Sequence, residues 1–264
     1  MQLIDIGANL THDSFDTDRD DVIRRAEGAG VERIVLTGAS EQGNKDALSL
    51  AQSRPGKMFS TAGMHPHHAA DYTDSTHKLI QDFAKFDEVV AIGECGLDYF
   101  RDLSPRKDQR TAFIRQLDIA METGLPVFLH QRDAHDDFVE ILESRLTGIS
   151  RAVAHCFTGD EVALRTYLDM DLYIGITGWI CDERRGTHLK DIIGLIPNDR
   201  LMIESDAPYL LPRSLKPKPD SRRNEPAYLR EVLRVVAESR GESEDLVATD
   251  TTRNAETFFA LPRR

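Results

Sequence analysis

Residues 126–155 hold two short apolar runs, Pro126-Val-Phe-Leu-His130 and Arg151-Ala-Val-Ala-His155, separated by a charged stretch in which Phe138, Ile141, Leu142 and Leu146 recur in helical register. A strand-length run, a helix-length amphipathic segment and a second strand-length run make one β-α-β unit with parallel strands. Both runs close on a histidine. Read outward in both directions, the same unit recurs along the whole chain. Candidate strands fall at Leu3–Ile6, Arg33–Thr37, Met58–Gly63, Val89–Gly93, Pro126–His130, Arg151–His155, Leu172–Ile176 and Leu201–Glu204. Between the fourth and fifth, Gln109 to Glu122 carries Phe113, Leu117, Ala120 and Met121 at the spacing of a buried helical stripe. Gly30, Gly124 and Gly148 stand where such helices need a residue tolerant of positive φ.

Eight such units predict an α/β fold of the TIM (β/α)8 barrel type rather than an open doubly wound sheet. The open sheet calls for a glycine-rich turn after the first strand, and Gly7-Ala8-Asn9-Leu10 is too poor in glycine to serve. Barrels of this kind occupy about 250 residues as one domain, so the 264 residues are expected to form a single domain over 1–264. The stretch from Pro208 to Pro219 is the one long irregular loop, and long loops in compact domains usually carry function.

Composition narrows the function classes. With 40% apolar and 30% charged residues, the chain is expected to bury an ordinary globular core. A net charge of −12 opposes broad, non-specific adhesion to nucleic acid or to an anionic membrane. It leaves room for a local basic rim at Arg184-Arg185, Lys216, Lys218 and Arg222-Arg223. The start of the chain has no basic leader with a long apolar segment, and no later run approaches the ~18 apolar residues of a membrane span; a cytoplasmic protein without membrane contact is expected. Cys95, Cys156 and Cys181 form no CxxC pair, so they are read as packed, reduced thiols rather than a disulfide framework or a thiolate zinc site. Trp179, beside the loop after the seventh strand, is expected either to stack a base or to pack against its loop.

The chemistry collects at the ends of the candidate strands. Glu94 ends Val-Val-Ala-Ile-Gly-Glu, His130 and His155 end their runs, Glu204 and Asp206 end Leu-Met-Ile-Glu-Ser-Asp, and His65 closes the third unit. In a parallel barrel these C-terminal ends share one rim, where barrel enzymes place their catalytic groups. A lone histidine there is usually a hydrogen-bonded structural residue. The repetition of the position over four units is what points to a divalent cation bound by mixed imidazole and carboxylate donors.

Several segments add a resemblance. Ala62-Gly-Met-His-Pro-His67, Ile92-Gly-Glu-Cys-Gly-Leu-Asp98, His155-Cys-Phe-Thr-Gly159, Glu204-Ser-Asp-Ala-Pro208 and Arg223-Asn-Glu-Pro226 resemble the signature segments of the TatD family of metal-dependent deoxyribonucleases. Gly178-Trp-Ile-Cys-Asp-Glu-Arg-Arg-Gly186 resembles a segment particular to its bacterial subgroup. The likeness runs through nearly the whole chain. It implies a barrel of the metal-dependent hydrolase superfamily and a 3'-5' exonuclease acting on ends of single-stranded DNA or RNA. It also implies magnesium as the cation and suggests DNA repair as the setting. By matching positions, Glu94, His130 and His155 are the implied metal ligands, with Asp206 a further ligand or the base on the attacking water. The wider family opens with a His-x-His pair at the first strand where this chain has Gly7-Ala8-Asn9. A single tightly held ion is therefore expected rather than a persistent pair.

On this reading Asp206 takes the proton of a metal-activated water and Glu204 orients a ligand from behind. His65, His67, Arg184 and Arg185 hold phosphate oxygens, a role for which the guanidinium fork is well shaped. Mixed nitrogen and oxygen donors suit manganese or zinc as readily as magnesium. A monomer is expected. Two other classes share the same residues: a small-molecule amidohydrolase or esterase, which needs a smaller and less basic mouth, and a binding module that has lost its metal.

Overall fold

The structure, a computed structural model of the chain, describes residues 1–262. Strands and helices alternate: β1 Leu3–Ala8, α1 Arg19–Gly28, β2 Val31–Leu36, α2 Glu41–Gln52, β3 Met58–Ala62, α3 Asp74–Phe83, β4 Val89–Asp98, α4 Arg106–Thr123, β5 Val127–Arg132, α5 His135–Glu143, β6 Ala152–Ala154, α6 Glu161–Asp169, β7 Tyr173–Ile176, α7 Thr187–Ile192, β8 Leu201–Ile203, α8 Leu229–Arg240 and α9 Glu244–Phe258. The eight strands form one sheet in the order β1 to β8, the order of a (β/α)8 barrel. Among the described residues no helix is long and apolar enough to cross a membrane.

The described residues group into two compact units, one of residues 1–36, 156–168 and 173–262, the other of residues 37–155 and 169–172. In the first, β1 pairs with β2 and β7 with β8, all parallel. Asn9 N donates to Ala207 O at 2.7 Å, and Asp206 N donates to Gly7 O of β1 at 2.8 Å, so the segments that follow β1 and β8 are tied together. In the second, β3, β4, β5 and β6 pair in succession, also parallel. Strands covered on both faces need apolar side chains on both, which explains why Val127, Phe128 and Leu129 are consecutive and all buried. Each such side chain contributes about 1.5–3 kcal/mol through removal from water. Outside the sheet, Phe113 of α4 stacks on Phe138 of α5 at 5.5 Å between centroids.

Local sequence sets the helix limits. Ser40 caps α2 by accepting from Gly43 N, Thr73 closes a capping box with Thr76 on α3, and Ser243 caps α9 by accepting from Leu246 N. Gly124 ends α4 at φ 72°, as its position predicts.

Four sequence-based expectations are corrected. Met121 is 42% exposed rather than part of the buried stripe of α4. Leu146 lies in a separate 3-10 turn, Leu146–Gly148, after α5 has ended. Gly148 belongs to that turn and is absent from the positive-φ glycines. Finally, Glu94 and His130 do not end their strands: β4 continues to Asp98 and β5 to Arg132, with Gly96, Leu97 and Asp98 opposite His130, Gln131 and Arg132. Backbone pairing carries both strands past the apolar runs on which the reading relied.

Candidate metal centre

In the second unit, the pairing of β4 with β5 shifts register between Ile92 and Cys95. A shift of this kind re-aims the side chains within it, and Glu94 lies there. The backbone packs too closely for a side chain on either flank. A Cβ at Gly93 would fall 2.2 Å from Phe128 O, and one at Gly96 would fall 1.9 Å from His130 O. Both glycines have φ near 140°, outside the ordinary L-residue range.

Three imidazoles converge on a single oxygen of the Glu94 carboxylate. His130 Nδ1 lies 2.9 Å from Oε1, His155 Nε2 3.1 Å and His65 Nε2 3.3 Å. His155 is placed by β6, its backbone N–H donating to Leu129 O at 2.9 Å. His65 is placed by its N–H to Ala39 O at 2.9 Å and by the turn that begins at Pro66. Its Nδ1 accepts from His67 N at 3.1 Å, so in the neutral ring the proton is on Nε2.

Asp98, which the sequence reading did not single out, forms the floor of this group. It is 2% exposed. Its Oδ2 lies 2.8 Å from His67 Nε2 and 3.4 Å from His130 Nε2. Oδ1 accepts from the N–H groups of Phe100 at 3.0 Å and Arg101 at 2.8 Å. The signal was its spacing: residues four apart on a strand share a face, so β4 read to its full length would have paired Asp98 with Glu94.

The electrostatics of this group are those of charges held in opposition. Burial pushes the Glu94 carboxyl up, but the neighbouring His65 and His155 and the bonds from His130 and His155 outweigh it and hold the group well below the usual carboxylate range. Asp98 is also lowered, burial being overcome by His130 and His67. Burial lowers His65 to about 4, with Glu94 opposing. His130 is raised because Asp98 and Glu94 overcome the burial of its ring.

The donor chemistry fits a divalent cation. One carboxylate oxygen has two lone pairs, too few to receive three ring N–H groups in good geometry. His130 Nε2 is buried and, although near Asp98, is not aligned to hydrogen-bond to it. Donor atoms of His65, Glu94 and His130 all lie within 4.8 Å of one another.

The first unit holds the remaining expected residues. Glu204 follows β8, fully buried, and its Oε1 accepts from Cys156 N at 2.5 Å. Asp206 has a left-handed backbone, φ 53°, and Oδ1 accepts from Asn9 Nδ2 at 3.3 Å. Asn9 thus donates to the acid. Arg184 and Arg185 both lean on Asp182, at 3.5 and 2.9 Å, and Arg185 lies over the Trp179 ring at 4.3 Å. Arg223, read as part of a basic rim, is instead clasped by Asp18 at 2.7 Å and Glu225 at 2.9 Å. Cys95 and Cys181 are buried thiols, whereas Cys156 is only half-buried. The structure therefore brings His65, His67, Glu94, His130 and His155 together in one unit, and sets Glu204, Asp206, Arg184 and Arg185 in the other.

The chain is 48% identical over 260 residues to a "3'-5' ssDNA/RNA exonuclease TatD" of Erwinia billingiae, covering 98% of this chain and 100% of that protein. It is 49% identical over 259 residues to the protein of the same name from Pectobacterium carotovorum, again covering 98% of this chain and 100% of that one. Among solved structures, a TatD homologue from Escherichia coli matches with TM-score 0.90 at 27% identity, covering 98% of both chains. A TatD family hydrolase from Entamoeba histolytica matches with TM-score 0.87 at 27% identity, over the same 98% of each. The family model described as "TatD related DNase" matches residues 4–260, and the chain belongs to that family.

Proposed function

We propose that this chain is a 3'-5' exonuclease that hydrolyses phosphodiester bonds at the ends of single-stranded DNA or RNA, using a divalent cation held by Glu94, His130 and His155. The observation that carries the reading is the convergence of three ring nitrogens on Oε1 of Glu94 in a member of the TatD-related DNase family. When bound, the cation polarises a phosphodiester oxygen and lowers the pKa of a water. Asp206 is the base that accepts the proton of the attacking water, or a further ligand, and Asn9 orients its carboxylate. Glu204 fixes the backbone at Cys156, the residue that follows His155, and so acts on ligand position. His65 offers its Nε2–H to a non-bridging phosphate oxygen, and His67, Arg184 and Arg185 supply further contacts to the phosphate.

Magnesium is the cation we assign, and the nitrogen-rich donor set suits manganese and zinc as well; metal analysis of the purified protein distinguishes them. We further assign a cytoplasmic monomer that acts in DNA repair. The decisive test is digestion of 3'-labelled and 5'-labelled single-stranded oligonucleotides with magnesium or with chelator, using the wild type, Glu94→Ala and His155→Ala. Metal-dependent shortening from the 3' end that both substitutions abolish is the expected result. No cleavage of DNA or RNA with any divalent ion would leave the fold in place and move the activity to a small-molecule hydrolase.

A further inference from the structure

The loop after β4, residues 99–105, carries Arg101 and Asp102, and the first turn of α4 adds Arg106 and Lys107 before Asp108, with Arg106 paired to Asp102 at 3.3 Å. The same loop exposes large apolar side chains, Phe100 at 55% and Leu103 at 63%. Surfaces that put apolar bulk and positive charge together in solvent, at a cost in hydration, are commonly binding surfaces.

Its anchor is the floor of the metal centre. Asp98 takes the N–H groups of Phe100 and Arg101 on one carboxylate oxygen and faces His67 and His130 with the other. Tyr99 N also donates to Arg132 O at 2.9 Å, and Asp98 is opposite Arg132 in the ladder. The Arg132 guanidinium lies over the Phe100 ring, 4.1 Å from its centroid. Behind this pair, Arg106 covers the Tyr99 ring, also at 4.1 Å. A cation on one side of the ring holds it flat without enclosing it.

We infer that the Phe100–Arg132 pair is a stacking platform for a nucleobase of a single-stranded substrate, set one carboxylate away from the metal centre. The inference rests on the proposed nuclease reading and specifies how the strand is held. Positive charge attracts the sugar-phosphate chain, and an aromatic face accepts any base because every base has a π face. The platform touches neither the 2'-hydroxyl nor a base edge, so it serves DNA and RNA alike.

The test is binding of a fluorescein-labelled 12-mer whose linkages are phosphorothioates, which keeps the enzyme in its metal-containing form, followed by anisotropy. A companion set lacks one base at each position in turn. Phe100→Ala is expected to weaken binding about ten-fold, within the range that base–aromatic stacking gives, and Phe100→Trp to restore it. Removing the base that stacks is expected to weaken the wild type by the same factor and Phe100→Ala no further. In cleavage of the ordinary oligonucleotide the loss is expected in KM rather than kcat, for DNA and RNA equally. Because the ring is exposed, an unchanged thermal midpoint is expected for each variant. A wild type that cleaves oligonucleotides while Phe100→Ala binds them as tightly overturns the platform and spares the nuclease reading. Losses from base removal and ring removal that simply multiply also overturn it. A wild type that neither cleaves nor binds overturns both.

Discussion

Glu94 and Asp98 lie among imidazoles, whereas Asp5 and Glu204 lie among backbone amides and beside each other. All four carboxylates are buried, so the contrast isolates what a neighbour does to a charge. In the histidine-rich group, the rings hold Glu94 and Asp98 below the ordinary carboxylate range. Near β1, burial raises Asp5 to about 7; bonds from Ser205 and Gly7 oppose the rise and the Glu204 charge adds to it. For Asp5 burial outweighs the hydrogen bonds, whereas for Glu94 and Asp98 the imidazoles outweigh burial and keep the group charged. A cation is better served by the second arrangement.

This contrast can be broken at several points. Glu94→Ala removes the oxygen on which the rings converge. Metal-ion catalysis is worth several kcal/mol, so a loss of about a thousand-fold or more in kcat/KM is expected on a labelled oligonucleotide; activity near the wild-type level would remove Glu94 from the ligand set. Asp206→Asn keeps a group able to bond to Asn9 but cannot take a proton. General-base contributions are about a hundred-fold to ten-thousand-fold, and a loss in kcat of at least about a hundred-fold is the expected outcome of steady-state kinetics. Asp98→Asn removes no ligand but loosens the hold on His67 and on the ligand His130. Partners behind metal ligands are worth about 10–100-fold in metal affinity, so calorimetric titration of the metal-free protein should show weaker binding by that factor.

The smallest effect concerns stability in the other region. Asp5 is raised in the folded state to about 7 from an ordinary 3.8. Between those values the folded chain keeps a proton that the unfolded chain has lost, so its contribution is full below about pH 4 and falls away as pH rises toward 7. Asp5→Asn cannot ionise. The difference in thermal midpoint between the variant and the wild type should therefore grow in favour of the variant from pH 4.5 to pH 7.5, and a constant difference would contradict the assignment.

The sequence was informative where a strand is an uninterrupted apolar run. Leu201 and the two histidine-terminated runs mark their strands because a two-sided strand needs continuous hydrophobicity, whereas β1 and β3 carry the buried polar residues Asp5, Ser60 and Thr61 within theirs. It was less informative where backbone pairing continues through Cys95, Gly96, Leu97 and Asp98, a segment with no run to mark it. Asp98 was overlooked for that reason, although it supports two of the histidines. Arg223 shows a second limit. Its partner Asp18 is 205 positions away, and nothing in the local Arg222-Arg223 pair distinguishes a clasped guanidinium from a free one. The grouping of Glu94, His130 and His155 was legible because all three follow apolar runs on neighbouring parallel strands, although β4 and β5 continue past Glu94 and His130; the acceptance by His65 Nδ1 of a backbone N–H was not, since it depends on the turn at Pro66.

Gly93 and Gly96 carry a consequence for anyone who mutagenises this enzyme at random. Neither has a side chain with which to meet a substrate or an ion, yet a methyl group at either would fall within 2.2 Å of a carbonyl oxygen of β5. A saturation screen scored on activity would therefore rank both among its least replaceable positions, level with the acids and histidines. Scoring the same library for soluble yield would separate the two kinds of intolerance. Clones altered at the glycines would disappear from the soluble fraction, while clones altered at the chemical groups would remain there as inert protein.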